Sequence, residues 1–219
     1  MKNILCYGDS NTWGNIAGTF NQELMLHQRF PHGVRWPTVL QQILGAEYYV
    51  IEAGLNGRNT SFDEVDTTRP SRNGLVTLPG ICEMHYPLDL VVFMLGTNDI
   101  KIQFNASLER ITQGMRQLVH CIKKSHFGPQ FVAPQVMIIV PAPIFKIESE
   151  IYDLFFNEES IKKSQQLASH YAQLAAEEQC SFLDAGPLVK IAGDGIHIAK
   201  ESQVILAKAV AEKILAMDL

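Results

Sequence analysis

The chain has 219 residues, 47% hydrophobic and 19% charged, which predicts one folded domain over 1–219 and excludes dominant disorder, because so apolar a chain can offset its ordering entropy. Eighteen Lys and Arg against 23 Asp and Glu leave a net charge of −5, which argues against nucleic acid as a partner, since counterion release needs a basic stripe. No apolar run approaches the ~20 residues of a membrane span, and Gly8-Asp9 arrives too early for a signal-peptide apolar region of about 7–15 residues, so a cytoplasmic location without a membrane partner is expected.

Short β-type runs alternate with helical patterns along the chain. Ile4–Tyr7 is the first strand candidate. Trp36–Leu44 has helical periodicity, with Pro37 near its start and Gly45 just past its end, the favoured positions for each. Tyr48–Glu52 reads as the second strand. Leu90–Leu95 is a continuous apolar run, as expected of a central parallel strand covered on both faces. Leu108, Ile111, Met115, Leu118, Val119 and Ile122 recur every three or four residues and predict an amphipathic helix. Val136–Val140 is a fourth strand, stopped by Pro141 and Pro143. A helix from about Ser160 to Glu178, a short strand at Ser181–Leu183 and a helix from about Lys200 to Met217 complete the chain.

This alternation predicts an α/β fold: a doubly wound sheet of about five parallel strands with helices on both faces. Ligands in such sheets lie at the carboxyl ends of the strands, which selects the loops starting at Gly8, Ala53, Gly96, Pro141 and Ala185. Two connections, Trp13–Arg35 and Ser61–Pro79, are long for a compact domain and are expected to be functional or interfacial. The first is crowded with Phe20, Leu24, Met25, Leu26 and Phe30; exposed together they would form an apolar patch suited to self-association, a lid being the competing idea. Cys6, Cys82, Cys121 and Cys180 show no C-x-x-C spacing and are expected to be buried, reduced thiols. His27, His32, His85, His120, His126 and His170 lack metal-ligand spacing and read as structural or solvated, so no metal and no cofactor is expected.

Candidate chemistry gathers at the two ends of the chain. Ser10 follows the first strand, where it can be an exposed nucleophile or simply cap a helix. Asp194-Gly195-Ile196-His197 sets a carboxylate three residues before an imidazole, so Asp194 can hold the His197 Nδ1–H and leave Nε2 to accept a serine proton. Gly57 lies in a Gly-rich loop whose amides can approach a substrate closely, or only turns the chain there. Asn98 follows the third strand and can offer an amide donor, or cap the helix that starts near Ser107. Asp9 reads as a buried, turn-forming carboxylate. Phe145, Ile147 and Phe155 can form an apolar wall or simply pack in the core or at the surface. Trp13 can line a pocket or be core, Ile196 is expected to face the site, and Asn11 and Thr97 beside the motifs are further pocket candidates.

Gly8-Asp9-Ser10, Gly57, Gly96-x-Asn98-Asp99 and Asp194-x-x-His197 together resemble, in order and over essentially the whole chain, the four sequence blocks of the GDSL, or SGNH, hydrolases. Ile4–Gly14, Val34-Arg35-Trp36, Val50–Leu55, Leu88-Asp89-Leu90 and Phe182–Gly186 are similar to the short-chain arylesterase/acyltransferase branch. Asn11 departs from the family name, which has leucine there. The resemblance implies a flavodoxin-like sheet, Ser10 as nucleophile, His197 as base and Asp194 as its orienter. It also implies an oxyanion hole from the Ser10 and Gly57 N–H groups and the Asn98 side chain. The expected activity is hydrolysis, or transfer to an alcohol, of a short acyl group from a small ester. A carbohydrate O-deacetylase is the nearest alternative. A phosphate- or nucleotide-binding module is the contrasting one, although Gly8–Thr12 carries neither G-x-G-x-x-G nor a P-loop pattern.

Overall fold

In the computed structural model the described residues are 1–21, 23–24, 26–64 and 69–219. Five strands form one parallel sheet: β1 (Lys2–Gly8), β2 (Tyr48–Gly54), β3 (Leu90–Met94), β4 (Gln135–Val140) and β5 (Ser181–Asp184), in the order β2-β1-β3-β4-β5. This is the flavodoxin-like arrangement, and its order reverses between β1 and β3, where a crevice opens at the carboxyl ends.

The period-two geometry of a strand sorts each apolar run onto two faces. Leu5, Tyr7, Val91, Phe93, Ile138 and Val140 face one layer. Ile4, Cys6, Leu90, Val92, Met137 and Ile139 face the other. Helices α3 (Gly74–His85), α4 (Leu108–Lys123) and α6 (Glu158–Glu177) cover the first layer with Leu78, Ile111, Met115, Leu167 and Tyr171. Helices α2 (Trp36–Leu44) and α7 (Lys200–Leu215) cover the second with Trp36, Leu40, Leu206, Val210 and Ile214. Two one-turn helices, α1 (Ser10–Trp13) and α5 (Glu150–Asp153), follow β1 and β4.

The anticipated strands and the helices over 36–44, 108–122, 160–178 and 200–217 all form, with no end shifted by more than two residues. Helix α3 corrects the expectation of a loop over Ser61–Pro79. Asn73 caps it by accepting from the N–H groups of Leu75 and Val76, and Pro79 sits inside it. The apolar patch expected in the first long connection also does not form as drawn. Phe30 is buried in the core, Phe20 faces a cavity, and only Leu24 and Leu26 are exposed; Met25 lies outside the described residues. Cys6 and Cys82 are buried free thiols, while Cys121 and Cys180 are half-buried.

Candidate active site

Strand β1 delivers the chain to the sheet edge at Gly8, and Asp9 turns it into α1. The Asp9 carboxylate accepts the N–H of Asn11 at 2.9 Å, an N-cap that fixes Ser10 in the first helical position. Asp9 is buried, and burial pushes its pKa up to about 6 despite the Asn11 hydrogen bond and the nearby charges of His197, Arg58 and Lys101. The turn-forming role read from the sequence is the geometry found.

Residues 187 positions apart meet at Ser10. Its Oγ lies 2.9 Å from His197 Nε2, and His197 Nδ1 lies 2.6 Å from Asp194 Oδ2. Asp194 Oδ1 accepts the N–H groups of Ile196 and His197 at 3.1 and 3.0 Å. Burial works to raise the Asp194 pKa, but the His197 ring and these amides overcome it and hold the carboxyl below its ordinary value. The carboxylate is therefore an acceptor that locks the imidazole with Nδ1 bearing the proton, leaving Nε2 to face the serine.

The loop that carries Asp194 and His197 is tied down on both sides. Asn11 Oδ1 accepts the Ile198 N–H at 2.8 Å, and the Phe145 N–H donates to Gly195 O at 3.0 Å. Gly195 has φ +75°, and a Cβ there would stand 2.3 Å from Phe145 O, so only glycine fits between the two polar residues.

The neighbouring loops bring Gly57 and Asn98 to the same cavity. Gly57 adopts φ +84°, inside a turn closed by Arg58 N–H to Leu55 O at 3.0 Å. Among the described residues, neither the Ser10 nor the Gly57 N–H donates to a protein acceptor. Asn98 Nδ2 donates to Arg58 O at 3.1 Å and approaches Asp9 Oδ2 at 3.4 Å. Helix α4 is capped by Ser107, which removes the capping alternative for Asn98. Next to Asn98, Asp99 accepts the N–H and hydroxyl of Thr60, and burial pushes its pKa up to about 6. Beneath these loops the buried Arg58 guanidinium donates to Gly8 O at 2.9 Å and to Ala53 O, and stacks 3.9 Å from the Tyr7 ring centre. It thus binds the ends of β1 and β2 into one rim.

A cavity of about 610 Å³ opens onto Ser10, Gly57, Asn98 and His197. Its apolar walls include Phe20, Ile147, Tyr152, Phe155, Phe156 and Ile196, and its polar lining includes His27, Arg69 and Lys101. Both long connections contribute to these walls. Ile196, Ile147 and Phe155 therefore lie where the sequence suggested, but four other pocket candidates do not. Successive residues in a helix point about 100° apart, so while Ser10 faces the cavity Asn11 turns inward to Ile198. Thr97 is buried. Trp13 packs under the Arg29 guanidinium, whose Nε–H also donates to the Trp13 carbonyl. Phe145 is engaged through its backbone with Gly195, and the residue is 43% exposed at the surface.

Three basic lining residues escaped the sequence reading. His27 was grouped with the structural histidines, yet its ring centre lies 6.3 Å from that of His197 and 4.8 Å from Phe20. Arg69 sits in the second long connection. Lys101 had a readable signal, since it follows Asn98 by three residues, and its N–H closes a turn onto Asn98 O at 3.3 Å.

A serine, an imidazole and a carboxylate in one contact chain at the rim of a flavodoxin-like sheet define a hydrolase-type site. The family model for GDSL-like lipases and acylhydrolases matches residues 6–200, and the chain belongs to that family. No curated protein matches. Among solved structures, the native M. smegmatis aryl esterase is 38% identical, with 99% of each chain covered and a TM-score of 0.90. Est24, a carbohydrate acetylesterase from Sinorhizobium meliloti, is 35% identical over 99% of each chain with a TM-score of 0.89.

Proposed function

We propose that this GDSL-family chain is a serine esterase that removes short acyl groups from small esters through an acyl-enzyme, with residues 1–219 acting as one catalytic domain. The observation that carries this reading is the contact chain from Ser10 through His197 to Asp194, open to a cavity beside Gly57 and Asn98. His197 Nε2 takes the Ser10 proton as Oγ attacks the ester carbonyl, and Asp194 stabilises the imidazolium that forms. The tetrahedral oxyanion is received by the N–H groups of Ser10 and Gly57 and by Asn98 Nδ2. His197 then protonates the departing alkoxide as the carbonyl re-forms. In the second half, His197 deprotonates a water, or an alcohol in acyl transfer, which attacks the acyl-serine and returns the proton to Ser10.

The mostly apolar cavity walls favour small aryl and alkyl esters, as does the likeness to the M. smegmatis aryl esterase. An acetylated carbohydrate is the second reading, favoured by the likeness to Est24. The phosphate-binding alternative loses ground because the loop after β1 presents a serine already engaged by an imidazole. Hydrolysis of p-nitrophenyl acetate by the wild type and by Ser10→Ala tests the proposal. Turnover that disappears in the variant is the expected result, and turnover that survives removes the serine mechanism. A chain-length series of aryl esters run beside acetylated sugars separates the two substrate readings.

A further inference from the structure

The cavity's basic lining is not used by the chemistry above. Lys101 is half-buried, its ammonium 5.2 Å from the Phe155 ring centre, and it lies one turn beyond Asn98. Arg69 enters the same cavity from the second long connection. Among the described residues, neither cation has a carboxylate within the 4.0 Å of an ion pair. Among the described residues the one carboxylate that lines the cavity is Asp194, and it is held by His197 and two amides. Burial, with Arg69 adding to it, pulls the Lys101 pKa below its ordinary value although Glu64, Asp9 and Asp99 act to raise it. His27 supplies no third charge, since burial and His197 hold its imidazole below the usual range. Two cations that repel each other across a largely apolar cavity create a place where an anion would be favoured.

We propose that the cavity selects esters that carry a carboxylate or similar anion, held by Lys101 and Arg69 while the ester carbonyl sits at Ser10. The inference rests on the esterase reading and specifies its substrate class. An anion there gains charge-assisted hydrogen bonds in a site partly shielded from water, where such contacts are stronger than at an open surface. Aromatic and aliphatic walls around the cations suit an anion carried on a short organic chain or ring rather than free phosphate.

The test compares matched pairs of esters. Mono-(4-nitrophenyl) succinate against 4-nitrophenyl butyrate places the charge on the acyl side, and 4-acetoxybenzoate against 4-acetoxybenzamide places it on the alcohol side. The readout is the ratio of kcat/KM, charged over neutral, within one enzyme preparation, so a general loss of activity cancels. The wild type should prefer the charged member of at least one pair. Lys101→Met and Arg69→Gln should each lower that ratio by about tenfold, the loss expected when a hydrogen bond to a charged group is removed. Lys101→Arg should retain the preference, and high salt should compress it. A wild-type ratio at or below one for both pairs, or ratios that the substitutions leave alone, would overturn the proposal.

A binding readout separates this proposal from the esterase reading. Ser10→Ala should still be stabilised against heat by 4-hydroxybenzoate more than by 4-hydroxybenzamide, and Lys101→Met in that background should erase the difference. Equal stabilisation by the two compounds, together with equal stabilisation by succinate and butyrate, counts against the anion site however the turnover experiments fall.

Discussion

Asn11 Oδ1 and the backbone N–H of Ile198, 2.8 Å apart, join the turn that carries Ser10 to the loop that carries His197. This bond links residues next to the two reacting groups. Leucine at this position, as in the family name, has no acceptor to offer. Asn11→Leu should leave the buried Ile198 N–H unpaired and destabilise the fold by about 1–3 kcal/mol. It should lower kcat more than it changes KM, because the proton acceptor drifts from Ser10 while the cavity is kept. Asn11→Asp, which keeps an acceptor oxygen, should recover part of the loss. Urea unfolding and steady-state kinetics on both variants check this.

The oxyanion donors and the orienting carboxylate should differ in weight. Asn98→Ala removes one of three donors and should lower kcat by ~10²–10³. Asp194→Asn replaces an acceptor with an amide that can present a donor to Nδ1, favouring the wrong tautomer, and should cost about 10⁴. Equal and negligible losses would refute both roles. The comparison needs only p-nitrophenyl acetate kinetics near neutral pH.

Much of this site was legible in the sequence because it depends on short, local signals. Ser10 directly follows an apolar strand, and Asp194 and His197 are spaced so that one carboxylate can reach both the ring and the backbone. The sheet was legible for a related reason: Leu90–Leu95 can be buried on both faces only at the centre of a covered parallel sheet. Helix α3 was not legible, since Gly74, Pro79 and Gly80 are poor helix residues, while Val76 and Met84 are exposed and blur any apolar stripe. Its one local signal is the Asn73 cap. His27 and Arg69 were not legible because the two long connections acquire their positions only by folding over the sheet edge. Asn11 and Phe145 were misplaced because proximity along the chain does not specify which way a side chain points.

The buried Asp9 and Asp99 give stability a pH dependence of defined sign. Burial raises both folded-state pKa values to about 6, from an ordinary value of 3.8. Between about pH 4 and 6 the folded state therefore holds protons that the unfolded chain has released, so stability falls as pH rises through this window. The cost is fully present above it. His27 acts oppositely, its lowered pKa making acidification unfavourable to the fold. The difference between wild type and Asp99→Asn cancels that contribution. On acidification from pH 7 to 5, wild type should gain about 1 kcal/mol relative to the variant, measured by urea denaturation at each pH. A constant difference across this range would remove the buried charge at Asp99 from the account.

Arg58 should matter to stability and activity together. Its guanidinium satisfies the carbonyls of Gly8 and Ala53 and lies against Tyr7. Arg58→Met keeps much of the apolar stem but removes the bond to Ala53 O and leaves Gly8 O with the Leu55 N–H alone, a loss of roughly 1.5–3 kcal/mol for each charge-assisted bond at most. Because the same rim presents Ser10 and Gly57, kcat should fall as well. Calorimetric unfolding with kinetics on the folded fraction separates the two effects, and a variant with wild-type Tm and kcat would contradict the role given to Arg58.

The central claim, that His197 activates Ser10 as a nucleophile, is tested most directly by trapping. A fluorophosphonate should add once per chain, and peptide mass mapping should find the adduct on Ser10. His197→Ala should slow that labelling by orders of magnitude, and Ser10→Ala should abolish it. An adduct on another residue, or labelling of Ser10 at the wild-type rate without His197, would contradict the account.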